Sequence, residues 1–250
     1  MELAQKNLGD NETLDSIYNG KIKLFQKKKG YRFSIDAVLL AEFVHKLGGA
    51  RLLDLGTGCG IVPLMIAHKN THVNITGVEL QDSLYDLAKR NVEENGLTDR
   101  IKIIQHDIRH VDRILSPESF DLITANPPYI ERDSGRLNPD KEKAIARHEL
   151  MVSLEEIVRA VKYLLTPTGK AVIIYPAKRA VDLLTLLRKE GIEPKFVQMI
   201  HSKLTTEAKL VIVKASKSGK KGGLKVLPPW IIYNEDGNYT DESEKMLNGT

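Results

Sequence analysis

The sequence predicts one α/β unit, a mostly parallel sheet of seven strands flanked by helices, with a small hairpin-and-helix extension in front of it. Three observations point there. From residue 51 onward, strand-length apolar runs alternate with helix-length amphipathic runs. The strand runs are largely apolar, as strands covered on both faces by helices must be. The chain has 250 residues, 42% hydrophobic and 28% charged, which supports one buried core and argues against disorder.

Each element has a local reason. Residues 17–33 set Ile22, Leu24 and Phe25 around Gly20 and Gly30, a hairpin pattern. Ser34 stands where it can cap a helix over 35–47, whose apolar face carries Val38, Leu39, Phe43 and Leu47; Gly48 and Gly49 end it. Strands are predicted at 51–55, 74–79, 101–105, 120–125, 170–175, 196–200 and 208–213. Helices are predicted at 61–68, 83–95, 142–165 and 177–190, joined to the strands by right-handed crossovers. Residues 214–225, rich in Lys, Gly and Ser, read as a loop, and Asp236-Gly237 as a turn. The division expected is 1–48 for the extension and 49–250 for the main unit.

Bulk properties narrow the function. The net charge of +4 is mildly basic, which permits a nucleic-acid partner without requiring one. A single cysteine, Cys59, excludes a disulfide framework within the chain. The first ten residues lack the order of a signal peptide, and no apolar run reaches the length of a membrane span. A soluble cytoplasmic protein is expected.

The string Asp54-Leu55-Gly56-Thr57-Gly58-Cys59-Gly60 follows the first core strand and opens a helix. Glycines at alternate positions let the backbone pass close to a ligand. Ile61 stands where a dinucleotide fingerprint needs its third glycine, so a dehydrogenase fits poorly. The order instead resembles motif I of class I methyltransferases, a Rossmann-like fold whose loop packs against S-adenosylmethionine. Glu79, followed by Leu80, ends the second strand, where a carboxylate can accept from both hydroxyls of a ribose. Asp107, followed by Ile108, comes just after the third strand; it is either a cofactor contact or the cap of the segment behind it. These positions sit at the carboxyl ends of successive strands, where open α/β sheets bind ligands.

Asn126-Pro127-Pro128-Tyr129 follows the fourth strand and resembles motif IV of amino-group methyltransferases. An exocyclic amine is a poor nucleophile because its lone pair is delocalised into the ring. The Asn126 side-chain oxygen and the Pro127 carbonyl can each take one amine hydrogen, favouring a tetrahedral nitrogen and stabilising the positive charge that develops. The prolines stiffen the turn and remove competing donors. Tyr129 offers a face for stacking on a planar base. This chemistry calls for no metal. The histidine pairs His68/His72 and His106/His110 bring no evident third ligand.

Lys27, Lys28 and Lys29 belong to a run, 21–32, without an acidic residue; it is either solvated surface or a track for phosphates. The string Gly30-Tyr31-Arg32-Phe33-Ser34-Ile35-Asp36-Ala37-Val38-Leu39-Leu40, preceded by Gln26, is similar to the opening of bacterial tRNA(Val) (adenine-N6)-methyltransferases. So are Ala146-Arg147-His148-Glu149, Glu193-Pro194-Lys195 and Gly237-Asn238-Tyr239-Thr240. The resemblance implies a tRNA partner, methylation of an adenine N6 beside the anticodon, and S-adenosyl-L-homocysteine as product. It implies that Asp54, Gly56, Gly58, Gly60, Glu79, Leu80, Asp107, Ile108 and Asn126 line the cofactor site, with Arg32, Ser34 and Asp36 as its lid. Asn126 to Tyr129 would hold the adenine. Arg147 and His148 would either touch RNA or order the loop.

Two rivals stay open. A protein glutamine-N5 methyltransferase shares the tetrad but carries a long helical amino-terminal domain, whereas only the segment up to Ala50 precedes the glycine loop here. A non-catalytic RNA-binding protein could keep the fold.

Overall fold

The structure is a computed structural model and describes residues 8–30, 32–47, 50–127 and 152–249. Pro128, Tyr129, Arg147 and His148 lie outside the described residues, as do Gly48, Gly49 and the 142–151 portion of the predicted fourth helix.

A hairpin opens the described chain, β1 (Glu12–Ile17) against β2 (Ile22–Lys27), followed by α1 (Ile35–His45). The sheet then forms from β3 (Arg51–Leu55), β4 (Asn74–Glu79), β5 (Ile101–Gln105), β6 (Phe120–Ala125), β7 (Leu165–Pro176), β8 (Ile192–His201) and β9 (Ala208–Lys217). Between them lie α2 (Ile61–Lys69), α3 (Asp82–Glu94), α4 (Leu154–Leu164) and α5 (Ala180–Lys189). Short strands β10 (Lys225–Val226) and β11 (Trp230–Ile231) both pair with β8, and α6 (Asp241–Asn248) closes the chain.

The spatial order is β10-β8-β9-β7-β6-β3-β4-β5. Strands β3 to β7 are mutually parallel, and β9 runs antiparallel between β7 and β8. The seven expected strands are therefore present, and two two-residue strands extend the β8 edge. The order steps from β3 to β4 on one side and from β3 to β6 on the other. That switch opens a crevice at the carboxyl ends of β3 and β6.

Strands β3 to β6 have the predicted bounds because their apolar runs end at Gly, Asn or charged residues. Several expectations need correction, among them β8, which starts at Ile192 rather than at residue 196. The hairpin begins earlier than predicted: β1 is the polar segment Glu-Thr-Leu-Asp-Ser-Ile, held by its pairing with β2 rather than by its own pattern. Strand β7 starts at Leu165 rather than Lys170, since a register shift opposite Phe120 and Leu122 accommodates Pro167 and Gly169. Residues 214–217 continue β9, because Lys214 and Lys217 lie in an antiparallel ladder that lysine stems tolerate.

Two hydrophobic layers cover the sheet. Helices α1, α2 and α3 pack one face, together with Tyr18, Ile22, Leu24 and Phe25 of the hairpin. Helices α4 and α5 pack the other. The described part of α4 starts with a capping box: the Ser153 hydroxyl accepts from the Glu156 amide at 3.2 Å, and the Glu156 carboxylate accepts from the Ser153 amide at 2.8 Å.

Candidate active site

The glycine loop leaves β3 at Leu55 and turns into α2. Gly56, Gly58 and Gly60 take φ of 73°, 60° and 84°, a left-handed region that a side chain disfavours. The Gly56 and Thr57 amides donate to the Val78 carbonyl at 2.9 and 3.0 Å, which pins the loop to β4. At Gly60 a Cβ would also come within 3.3 Å of the Ala88 Cβ, so α3 packs directly on the loop.

Glu79 is 6% exposed at the end of β4. Its Oε2 accepts from the Gly58 amide and its Oε1 from the Gln81 amide, each at 2.9 Å. Burial pushes this carboxyl up, and the Gln81, Gly58 and Leu80 amides pull it back. Each oxygen keeps a lone-pair direction for a further donor. One residue thus fixes the loop and offers two acceptors beside it, with half-buried Leu80 next in the chain.

Asp54 lies beneath the loop at 2% exposure and accepts from the Thr124 hydroxyl at 2.6 Å. Desolvation pushes its carboxyl up to about 6 against the pull of the Thr124 hydroxyl. Asp107 follows β5 and caps the short 3-10 turn Ile108–Arg113. Its carboxylate accepts the Arg109 amide at 2.8 Å and the Arg109 guanidinium at 2.6 to 3.0 Å, and that guanidinium holds it below the usual carboxylate range. Ile108 reaches over the loop, since its Cδ1 would stand 3.8 Å from a Cβ on Gly56.

The strand register brings the second motif to the first. Leu55 pairs with Ala125 across β3 and β6, so Asn126 and Pro127 leave the sheet beside Gly56. Asn126 is partly exposed and Pro127 buried.

Of the lid candidates, Arg32 is tied to the hairpin, whereas Ser34 and Asp36 lie at the start of α1. Arg32 donates to Asp15 at 2.5 Å and to the Thr13 hydroxyl and the Lys27 carbonyl, both at 2.9 Å. Gln26, buried at 3%, donates to Asp15 and accepts the Phe33 amide at 3.0 Å. Ser34 occupies the N-cap position of α1 with extended backbone, but its hydroxyl makes no cap hydrogen bond, contrary to the expectation. Asp36 lies in the first turn of α1, half-buried. Lys27 donates to the Ser83 hydroxyl and Lys28 to the Asp10 carbonyl, while Lys29 is exposed at the hairpin's open end.

The sequence reading missed Asn91. It is fully buried on α3, and its side chain bonds the Phe25 backbone on β2 and the Cys59 carbonyl in the glycine loop. The signal was present: an amide among Leu84, Leu87, Ala88 and Val92, on the helix's apolar face. Burial pushes the Cys59 thiol up to about 12, which leaves it a packing group. Among the described residues, no three His, Cys, Asp or Glu side chains gather as a metal site would need. Nor is any described helix long and apolar enough to cross a membrane.

Fold and site together define a Rossmann-like class I methyltransferase. The chain belongs to the methyltransferase small-domain family, whose family model matches residues 32–190 and so takes in the glycine loop, Glu79, Asp107 and Asn126. Curated relatives named tRNA1(Val) (adenine(37)-N6)-methyltransferase are similar to it. That of Trichodesmium erythraeum is 32% identical over 158 residues, 62% of this chain and 64% of the relative, so the match spans less than two thirds of that relative's length. That of Tolumonas auensis is 31% identical over 66% of this chain and 68% of the relative. That of Pedobacter heparinus is 29% identical over 86% and 89%. Among solved structures, a predicted O-methyltransferase, Atu636 of Agrobacterium tumefaciens, shares the fold with a TM-score of 0.68 at 21% identity, over 86% of this chain and 96% of that one. TYW2 of M. jannaschii, crystallised with AdoMet, does so at 0.59 and 14%, over 83% and 86%.

Proposed function

We propose that this chain transfers a methyl group from S-adenosylmethionine to the exocyclic N6 of an adenine in tRNA, next to the anticodon of a valine tRNA. The observation that carries the reading is the β3–β6 register, which sets Asn126 and Pro127 beside the glycine loop. The names of the relatives supply the substrate class.

The residues present fit the cofactor. Glu79 has acceptors left for two neighbouring hydroxyls, and Asp107, with three Arg109 N–H groups on its carboxylate, keeps about one acceptor direction beside Ile108 for an amino group. The gap between Gly56 and Ile108 is one that a side chain at position 56 would fill. S-adenosylmethionine, when bound, supplies an electrophilic methyl group. The chain's own work is on the amine. Asn126 Oδ1 and the Pro127 carbonyl oxygen accept its two hydrogens, which directs the nitrogen lone pair toward the loop and stabilises the charge that grows there. Transfer of that methyl group to the nitrogen would leave the thioether product, and the surplus proton would pass to water. Tyr129 and Pro128 would enclose the base, which must first be unstacked from its loop at a cost on the order of a few kcal/mol. Arg32, Ser34 and Asp36 serve as the lid, carried by the extension up to residue 48. Lys27, Lys28 and Lys29 would contact the RNA, and Arg147 and His148 would either do the same or order the loop after the tetrad. A cytoplasmic location follows from a tRNA substrate.

The test is mass spectrometry of tRNA nucleosides from cells with and without the gene, followed by methylation of purified tRNA in vitro. N6-methyladenosine that is unchanged in the cells, together with no transfer in vitro, would remove the assignment.

A further inference from the structure

Strand β9 carries Leu210, Ile212, Lys214 and Ser216 at alternate positions, which place their side chains on one face. Leu210 and Ile212 belong to the hydrophobic layer under α1. Lys214 continues their line, so a cation stands where the apolar cover ends. Its Nζ lies 3.6 Å from the centroid of the Phe196 ring, and the Nζ of Lys225 lies 5.7 Å from the same centroid. The Phe196 face therefore meets two ammonium groups. Lys170, exposed on β7, is the third: its charge and that of Lys225 both bear on Lys214, which burial and these two neighbours push down.

Among the described residues, no carboxylate pairs with Lys170, Lys214 or Lys225, whereas nearby Lys217 pairs with Glu118 and Lys195 donates to backbone carbonyls. Like charges gathered without a counter-charge repel one another, and a polyanion relieves that repulsion while releasing its own counterions. The amines occupy β7, β9 and β10, a spread of three strand steps, or roughly 14 Å. That exceeds one phosphate and suits a run of them.

The position agrees. Ala125 pairs with Ile173, so Asn126 is level with Ile174, whereas Lys214 pairs with Val172. Two strand steps across and two residues back put the Lys214 Cα roughly 12 Å from that of Asn126.

We propose that Lys214 and Lys225 at the Phe196 ring, with Lys170 on β7 beside them, form a track for the phosphate backbone of the substrate tRNA near the nucleotide being methylated. The proposal rests on the tRNA reading above and adds a surface of which Lys214 and Lys225 lie beyond the segment matched by the family model. It commits to RNA over an anionic membrane because Lys214, in the middle of the track, stands within roughly 12 Å of Asn126 by strand spacing.

The experiment uses the full chain and the double variant Lys170→Glu/Lys225→Glu, both sites being exposed. Binding of purified tRNA is measured across salt concentrations, with KM for tRNA, S-adenosylhomocysteine affinity and cosedimentation with phosphatidylserine vesicles alongside. The expected result is a salt slope shallower by about 2 and a KM raised about tenfold, with cofactor affinity unchanged. An unchanged slope and KM in the variant, beside a wild type that methylates tRNA, overturns the track alone. So does vesicle binding that the variant loses while tRNA binding stays. A wild type that methylates no tRNA overturns the functional reading, and the track with it. If the variant misfolds, Lys170→Ala/Lys225→Ala is read in its place, with a slope change of about 2 again expected.

Discussion

The side-chain amide of Asn91 donates to the carbonyl of Cys59 across 2.9 Å, from the buried face of α3 to the middle of the glycine loop. Its oxygen accepts the Phe25 amide at 2.6 Å, and its nitrogen also donates to the Phe25 carbonyl at 3.1 Å. One side chain therefore joins the amino-terminal hairpin, the third helix and the loop that would cradle the cofactor.

Asn91→Leu is expected to destabilise the protein by about 3 kcal/mol, because it strands a buried amide and two carbonyls without partners. Urea unfolding with an unchanged m-value reads this as a lower midpoint. A midpoint within error of wild type would show that the three segments do not depend on the amide.

Glu79→Gln replaces an oxygen that accepts a backbone amide by a group that donates. Whichever way the amide turns, the Gly58 or the Gln81 N–H loses its acceptor. Affinity for S-adenosylhomocysteine is expected to fall about 10- to 100-fold, the loss of hydrogen bonds to a charged group. Calorimetric titration measures it; an unaltered Kd would separate Glu79 from the ribose.

Asp54 gives a pH signature. Its folded pKa of about 6 stands above the ordinary 3.8, so the folded state holds the proton more tightly than the unfolded one. The stabilisation from this group is full below about 4 and is lost as the pH rises through 6. Between those values wild type should lose on the order of 2–3 kcal/mol relative to Asp54→Asn, which cannot titrate there. Parallel unfolding curves for the two proteins over pH 4–7 would contradict it.

Asn126→Ala removes one of the two acceptors for the amine. Turnover of tRNA should drop by roughly 10²–10³, with cofactor affinity retained. Single-turnover methylation with labelled cofactor measures it, and an intact rate would take Asn126 out of the chemistry.

Charge reversal of Lys27, Lys28 and Lys29 should weaken tRNA binding and flatten its salt slope by up to about 3. Lys29 is expected to contribute most. Lys27 and Lys28 already hold the Ser83 hydroxyl and the Asp10 carbonyl, whereas Lys29 stands exposed. A slope that Lys29→Glu leaves untouched would assign the run to solvated surface.

By itself the sequence determined the alternation that makes a doubly wound sheet, the bounds of β3 to β6, and the positions of Gly56, Glu79, Asp107 and Asn126 at strand ends. These are local matters: apolar periodicity, turn chemistry and short motifs act over a few residues. Only the tertiary structure decided what distant segments do to one another. It paired polar β1 with β2, carried β7 back across Pro167 and Gly169, and turned Arg32 onto Asp15. It gave Asn91 its partners on β2 and in the loop, and set Lys214 and Lys225 on one ring with Lys170 beside them. The physical reason is that a side chain's partners across strands or between layers depend on register and packing angle, and both are fixed only when the whole core closes.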